Sequence, residues 1–381
     1  MPSVFFVSLM SASPWGGSEE LWYRTALMAA RRGWKVGCAV YHWHEKEQKQ
    51  SVLQEAGAEI FYLPNKGRSK RNLVERIQNK FSKSASRRVI NSLPVHEYDL
   101  TVINMGAFEI ITKAWQHFYK KPHRYVVLYH NYREKEVFTG RKKEIIQSLI
   151  DGALLNLFAS RRIKETLVKN SGIQITSDEI LINPISFETP ATVTKYPLAD
   201  EGIYRFIMLA ALEVNRKAQD VLISALSATQ WQQRKWELHL YGEGKDRELL
   251  QDLINQHQMQ HRIFLKGHTS DVRKALEESH LLLQLTRQDA MPLSVIEALA
   301  VGRPVAVTDV GDMPDWIIEN ENGWICKQAT EEEINQTLER AWQQKEKWKE
   351  MGEASFQLFK EKFPASVEAT LLEKLETLIK N

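Results

Sequence analysis

Short apolar runs, each about the length of one strand, recur along this chain with longer stretches of helical period between them. In the first half they are VFFVSL (4–9), KVGCAVY (35–41), AEIFYL (58–63), YDLTVIN (98–104) and RYVVLYH (124–130). Strands that alternate with helices at this spacing form βαβ units, and βαβ units build parallel sheets. The alternation pauses across EILINPISFETPATVTKYPLADEG (179–202), rich in Pro and Thr and poor in periodicity. It then restarts with YRFIMLAAL (204–212), WELHLYG (236–242), RIFLKG (262–267), HLLLQL (280–285) and RPVAVTD (303–309). The chain therefore reads as α/β, with two doubly wound, Rossmann-like domains joined near Asn183–Glu188, where Pro184 and Pro190 stiffen the crossing. The expected boundaries are 1–184 and 185–363. A charged helical region, Thr330–Lys362, ends the second domain, and a last helix within 364–381 is expected to pack back across the join.

Length and composition narrow the class. A chain of 381 residues has room for two to three cores. With 43% hydrophobic and 26% charged residues and a net charge of +3, the composition is that of a soluble globular protein and demands no nucleic-acid interface. The basic residues lack an interleaved aromatic platform for single strands. Cys38 and Cys326 fit no disulfide framework or metal spacing, so a reducing, cytoplasmic location is expected. The apolar run at the N-terminus is too short to span a bilayer and follows no basic region, so it reads as a strand. His42 and His44 alternate at a strand end with no third ligand at sensible spacing, so no metal is expected there.

The most informative stretch is LTRQDAMPLSVIEALAVGRPV (285–305). A helix as apolar as the one entered at Pro292 has little reason to carry Glu297 unless something binds the carboxylate. Ligands of open α/β sheets bind beyond the carboxyl ends of the strands, where helix N-termini converge. Pro292 suits the first turn of the helix, leaving the N–H groups of Leu293 and Ser294 free for an anion. Glu297, about one turn further in, can accept hydrogen bonds from paired hydroxyls such as those of a ribose, while Asp289 lies nearer the reacting group. A phosphate between two hydroxyl-bearing ends is a nucleotide sugar.

These residues resemble the donor-site signature of the retaining glycosyltransferases of family 4, the glycosyl transferases group 1, which have the GT-B fold. The neighbouring segments follow the same order. LEVNRKAQDVLISAL resembles the family's diphosphate-binding strand-loop-helix, LHLYGEGKDRELL its glycine-containing turn, RIFLKGHTSDV its base-binding loop and VTDVGDMPDWIIENENGWI the segment that closes the site. In the first half PWGGSEE resembles a glycine loop and LYHN a strand end that carries a histidine. The resemblance implies two domains facing across a cleft. It puts Arg216 and Lys217 on the diphosphate, Glu297 on the ribose, Asp289 on the hexose and His130 toward the donor sugar. Gly16 and Gly17 would admit backbone close to a phosphate or acceptor. Gly242, Gly244 and His268 would shape the nucleoside pocket, with Met291, Pro292, Leu293 and Ser294 lining the donor loop. No metal or other cofactor is implied. The chain departs from the family pattern at Leu212, where an Arg is usual, at Asp289 for Glu, at Ala290 for Gly and at Asp312 for a second Gly.

The implied activity is transfer of a hexose from a nucleotide sugar, UDP-glucose or a close relative, to a saccharide or lipid-linked saccharide acceptor in glycan biosynthesis. The acceptor would be gripped by loops around Trp15, 41–44 and 105–108. Two alternatives stay open: a UDP-sugar epimerase or sugar-phosphate synthase on the same scaffold, and a catalytically weak UDP-sugar-binding partner of a polysaccharide assembly complex. Between Lys66 and Arg88 the segment KGRSKRNLVERIQNKFSKSASRR holds nine basic residues and the single acid Glu75, with Leu73, Val74, Ile77 and Phe81 at near-helical spacing. Such a helix either covers its own domain or lies on an anionic membrane as a peripheral contact. Sedimentation with anionic vesicles at low salt tests this; the membrane reading requires the protein in the pellet and fails if it stays in the supernatant.

Overall fold

The computed structural model describes residues 1–10, 15–44, 47–63, 88–106, 108, 115, 118, 123–131 and 136–381. The basic segment 66–88 lies outside them except for Arg88. The chain forms two compact units, Met1–Pro184 with Ser366–Asn381, and Ile185–Ala365.

The first unit runs β1 (Ser3–Ser8), α1 (Gly17–Arg31), β2 (Lys35–Tyr41), α2 (Glu47–Glu55), β3 (Glu59–Leu63), β4 (Leu100–Met105), β5 (Tyr125–Tyr129), α3 (Gly140–Gly152), β6 (Leu155–Phe158), α4 (Arg161–Ser171) and β7 (Asp178–Ile180). Its parallel sheet has the order β3-β2-β1-β4-β5-β6-β7. The five strands expected from the apolar runs are all present. β6 and β7 are additions that the apolar runs did not mark. LNLF follows α3 almost directly, and DEI sits inside a polar stretch; neither is long enough to display a period. β1, β4 and β5 are buried at every residue, as strands covered on both faces must be. α4 is fixed at both ends: Ser160 Oγ accepts from Ile163 N at 3.4 Å, and Gly172 closes the helix at φ +58°.

The second unit runs β8 (Tyr204–Leu209), α5 (Val214–Lys217), α6 (Gln219–Leu226), α7 (Thr229–Gln232), β9 (Trp236–Tyr241), α8 (Arg247–Gln256), β10 (Ile263–Gly267), α9 (Val272–Glu277), β11 (Leu281–Gln284), α10 (Leu293–Ala300), β12 (Val305–Thr308), β13 (Gly323–Cys326), α11 (Glu331–Gln343) and α12 (Trp348–Lys362). Its parallel order is β10-β9-β8-β11-β12-β13, the same winding with the switch between β8 and β11. β13 is a third strand that the apolar runs did not mark. Trp231, Trp236, Trp324 and Trp348 share the core with Phe206, which stacks on Trp236 at 6.0 Å. Three of the indoles also donate N–H: Trp231 to Asn335 Oδ1 at 2.9 Å, Trp236 to Trp231 O at 2.8 Å and Trp348 to Ala341 O at 3.0 Å. Arg303, fully buried, spends its guanidinium on the carbonyls of Leu276, Glu277, Val301, Gly302 and Lys195.

The last helix, α13 (Val367–Lys380), belongs to the first unit and packs on α1. Ser366 caps it by accepting from Ala369 N at 3.1 Å. Val367, Leu371, Leu372 and Leu375 form its buried stripe, Arg124 Nη2 donates to Leu378 O at 2.5 Å, and Lys374 pairs with Glu179. Truncating a wholly buried leucine removes its transfer free energy and leaves a cavity. Leu372→Ala should therefore destabilise the first unit by about 2–5 kcal/mol. Denaturant unfolding with an unchanged midpoint would show that the stripe carries no packing.

Candidate functional site

In a parallel sheet every strand points the same way, so the loops after β8, β9, β10, β11 and β12 all emerge at one edge of the second unit. Two of them flank the switch point, 210–218 after β8 and 285–292 after β11. They are stapled through one atom. The carbonyl oxygen of Arg216 accepts from Arg287 N at 2.9 Å, Gln288 N at 3.0 Å and Thr286 Oγ1 at 2.5 Å. Thr286 is itself held by Thr308 at the end of β12: its N–H donates to Thr308 Oγ1 at 2.9 Å, and Thr308 Oγ1 donates to Thr286 O at 2.6 Å. Arg287 reaches back, donating to Val214 O at 2.5 Å and to both Asp220 oxygens at 2.9 and 3.0 Å.

This staple places Lys217 against Asp289. Their side chains form an ion pair, at 11% and 13% exposure. Asp289 also accepts from Ala290 N at 3.0 Å. Arg216 points elsewhere. Its guanidinium, 42% exposed, pairs with Glu213 at 3.3 Å. Leu212 is buried in the core and donates its N–H to Glu243 O at 3.0 Å, so this backbone offers no cation at the position where the family pattern has Arg.

The helix after Asp289 begins one residue later than expected. Pro292 stands at the N-cap of α10 with φ −69° and ψ 124°, and Leu293 opens the first turn. The consequence for the amides is unchanged, because Leu293 and Ser294 at a first turn have no intrahelical partner for their N–H groups. Met291 is half-buried and Pro292 buried. Ser294 Oγ donates to Gln284 Oε1 at 3.3 Å. Glu297 is 5% exposed, and its Oε1 accepts the N–H of Ser186 at 2.8 Å. That bond answers in part why an apolar helix keeps a carboxylate, and it uses only one of the carboxylate's lone-pair sites.

The glycines after β9 are there for close approach. A Cβ on Gly242 (φ +140°) would lie 2.0 Å from Ala210 O, and one on Gly244 2.3 Å from Leu212 O. They let the β9 turn rest on the loop that leads to Lys217. His268, exposed beyond Gly267, follows β10 on the same edge. After β12, Gly311 has φ +59° and would drive a Cβ to 1.8 Å from Ala290 O, while Asp312 N donates to that oxygen at 2.8 Å. Asp312 has φ −91°, an ordinary conformation, so this turn does not need a second glycine there.

The other predicted residues lie in the first unit. Gly16 caps α1 in an extended conformation, φ −174°, with no atom within 4 Å of a built Cβ, and Gly17 is the first helical residue. His130 follows β5 and is 9% exposed. Its Nε2 lies 2.6 Å from Asn104 Oδ1, and burial pushes its pKa down to about 4. Behind it stands a polar group that motif reading had not singled out: Glu19, fully buried, accepting from Ser8 Oγ at 2.6 Å and Asn104 Nδ2 at 3.0 Å. The available signal was a carboxylate on the apolar face of α1, in line with Trp22, Ala26 and Ala29. Glu47 lies 3.1 Å from His44 and 3.7 Å from His42, a neighbour that spacing had not suggested. Among the described residues no group of three His, Cys, Asp or Glu side chains is arranged to hold a metal ion, and no helix is long and apolar enough to cross a membrane.

Residues 195–358 match the family model of glycosyl transferases group 1, covering most of the second unit. The poly(ribitol-phosphate) alpha-N-acetylglucosaminyltransferase of Staphylococcus aureus (strain COL) is 24% identical over 215 residues, 55% of this chain and 41% of its own length. One subunit of the human phosphatidylinositol N-acetylglucosaminyltransferase is 21% identical over 321 residues, 80% of this chain and 61% of its own. The chain thus spans less than two thirds of these curated relatives. Among solved structures, Anabaena Alr3699/HepE in complex with UDP superposes with a TM-score of 0.73 at 15% identity, over 99% of this chain and 100% of that one. Both sheets here have the Rossmann order, and the matching structures have the GT-B fold. Residues 195–358 therefore form a domain of the glycosyl transferases group 1.

Proposed function

We propose that this chain is a retaining glycosyltransferase that moves a hexose from a nucleotide sugar, UDP-glucose or a close relative, to a saccharide acceptor. The observation that carries the reading is the near-buried Lys217–Asp289 pair at the switch point, beside the open first turn of α10 and one helical turn from Glu297. A cation, free amides and a buried carboxylate in that order suit a diphosphate with a ribose on one side and a hexose on the other. The UDP bound by the Anabaena structure supports the choice of base, and the relatives' names support N-acetylglucosamine beside glucose as the transferred sugar.

In this reading Lys217 exchanges part of its contact with Asp289 for the diphosphate and offsets the charge that grows on the leaving group. The α10 amides of Leu293 and Ser294 share that task, Arg216 swings in from its exposed pair with Glu213, and Glu297 accepts the ribose hydroxyls. Asp289, released on its Lys side, takes a hydroxyl of the hexose. The acceptor oxygen then attacks the anomeric carbon on the face the phosphate leaves. The bond from that carbon to the phosphate oxygen breaks, and the departing phosphate takes the acceptor's proton. The protein supplies no nucleophile and, with its own cations placed so, calls for no metal. A saccharide or lipid-linked saccharide acceptor and a cytoplasmic site of action complete the proposal.

Lys217→Ala and Glu297→Ala should each weaken UDP binding or turnover at least tenfold, about 1.4 kcal/mol. Calorimetry with UDP and initial rates with UDP-hexoses read this, and wild-type values in both variants would sink the placement. Gly311→Ala, which pushes a methyl into Ala290 O, should also lower UDP-hexose affinity while the far-UV spectrum stays native; unaltered affinity would show that the Asp289–Ala290 loop is not part of the site.

A further inference from the structure

Gln284 interrupts the apolar run LLLQL (281–285) and is wholly buried at the end of β11. Side chains alternate across a strand, and Leu281, Leu283 and Leu285 enter the tryptophan-rich core of the second unit, so Gln284 points to the opposite face, where α10 packs. A primary amide carries two N–H donors and an acceptor, and a buried one needs partners for them. Gln284 has one: its Oε1 accepts from Ser294 Oγ at 3.3 Å, long beside the roughly 2.8 Å usual for a hydroxyl donor. Its Nε2, buried as deeply, has no partner among the described residues. Ser294 is 5% exposed and stands in the first turn of α10, where its own N–H and that of Leu293 have no intrahelical acceptor. Side chains on a helix lean toward its N-terminus, so the Ser294 hydroxyl lies on the same side as those amides.

Turning the Gln284 amide about its last bond exchanges oxygen and nitrogen almost in place. Nε2 then donates to Ser294 Oγ, and the hydroxyl hydrogen leaves the amide to point out of the first turn. For the chain alone that exchange satisfies one buried N–H and strands the amide oxygen instead. A phosphate oxygen at the first turn changes the balance, because it takes the hydroxyl hydrogen in a charge-assisted bond, shorter and stronger than the one at 3.3 Å. We propose that Gln284 is a positioning residue: when a phosphate occupies the first turn of α10, its amide turns, donates to Ser294 Oγ and so aims the Ser294 hydroxyl at the phosphate, a third donor beside the N–H groups of Leu293 and Ser294. The inference rests on the reading that this turn binds a phosphate of the nucleotide sugar, and it adds two side chains to that reading. All of these groups lie within the second unit. The ligand class is an anion of phosphate type, since a neutral group at the turn would leave the amide as it stands.

Calorimetric titration of the full chain with UDP tests the arrangement. Ser294→Ala should weaken UDP binding about tenfold, the worth of one hydrogen bond to a charged group. Gln284→Leu leaves the hydroxyl but no longer aims it among its three staggered positions, so it should weaken binding about threefold. The double variant should bind no worse than Ser294→Ala, because Gln284 acts only through Ser294; losses that multiply in it overturn the proposal. Gln284→Glu gives a readout that packing alone would not move. Above its pKa the introduced carboxylate only accepts, so it holds the Ser294 hydroxyl and repels the phosphate; below it the acid O–H donates to Ser294 Oγ as the amide does. Burial raises that pKa above the usual value of about 4.3, so UDP affinity relative to wild type should be lowest near about pH 9 and recover about tenfold as the pH falls to about 5.5. A deficit that is the same at every pH, or none at the alkaline end, overturns the proposal. Ser294→Ala, a helix-favouring loss of one oxygen, keeps the test decisive should the buried charge unfold Gln284→Glu, and wild-type affinity in it is refuting by itself. Wild-type protein that binds no UDP strikes the donor-site reading and this proposal together, whereas UDP that binds wild type and every variant alike strikes this proposal alone.

Discussion

One carbonyl oxygen organises the loops at the carboxyl edge of the second unit's sheet. Arg216 O takes donors from three consecutive residues, Thr286, Arg287 and Gln288, and so fastens the loop after β8 to the loop after β11. Without that fastening the strands would still pair, but the two loops that leave the sheet on opposite sides of its switch point would be joined only through side chains, Arg287 to Val214 O and Lys217 to Asp289. With it, Lys217 and Asp289 meet, 72 residues apart in sequence. The side chain of Arg216 is thus the less committed half of the residue: its backbone joins the two loops, and its guanidinium rests on Glu213 at the surface.

The surrounding loops show how such an edge is made rigid without regular structure. Gly242, Gly244 and Gly311 are placed where a side chain would collide with the carbonyls of residues 210, 212 and 290. Each lets one loop lie directly on the next, so the backbone polar groups satisfy one another: Gly242 N to Gly267 O, Leu212 N to Glu243 O, Asp312 N to Ala290 O. A lattice of this kind limits the conformations open to Lys217 and to the amides of Leu293 and Ser294, so these donors are preorganised.

Much of the architecture was legible because period and punctuation are local. Ten strands announced themselves as apolar runs, and the pause at 179–202 marked where one alternation stops and the next begins. β6, β7 and β13 escaped because three or four residues are too few to display a period, and their identity as strands comes from the neighbour they pair with. The sequence does not separate Pro292 at the N-cap from Pro292 in the first turn for a similar reason, since φ near −65° fits both alike and only ψ at 124° separates them. Among the candidate residues, Lys217, Asp289 and Glu297 are legible because a motif surrounds each of them. Glu19 does not stand out within the glycine loop, because a carboxylate three residues past a glycine at a helix start is ordinary chemistry for a first turn. Its importance comes from Asn104, 85 residues away.

The sequence by itself determined which segments are strands and helices, that both halves wind as parallel sheets, and which residue types stand near their carboxyl edges, since these follow from the periodicity of side chains along a single element. Only the tertiary structure decided who faces whom: that Lys217 is held by Asp289 while Arg216 is not, that Glu297 receives the Ser186 amide, and that Asn104 stands between Glu19 and His130. Hydrogen bonds and ion pairs act over about 3 Å and are blind to sequence distance, so a chain reveals its donors and acceptors in order but not their partners until the strands have brought them to one edge.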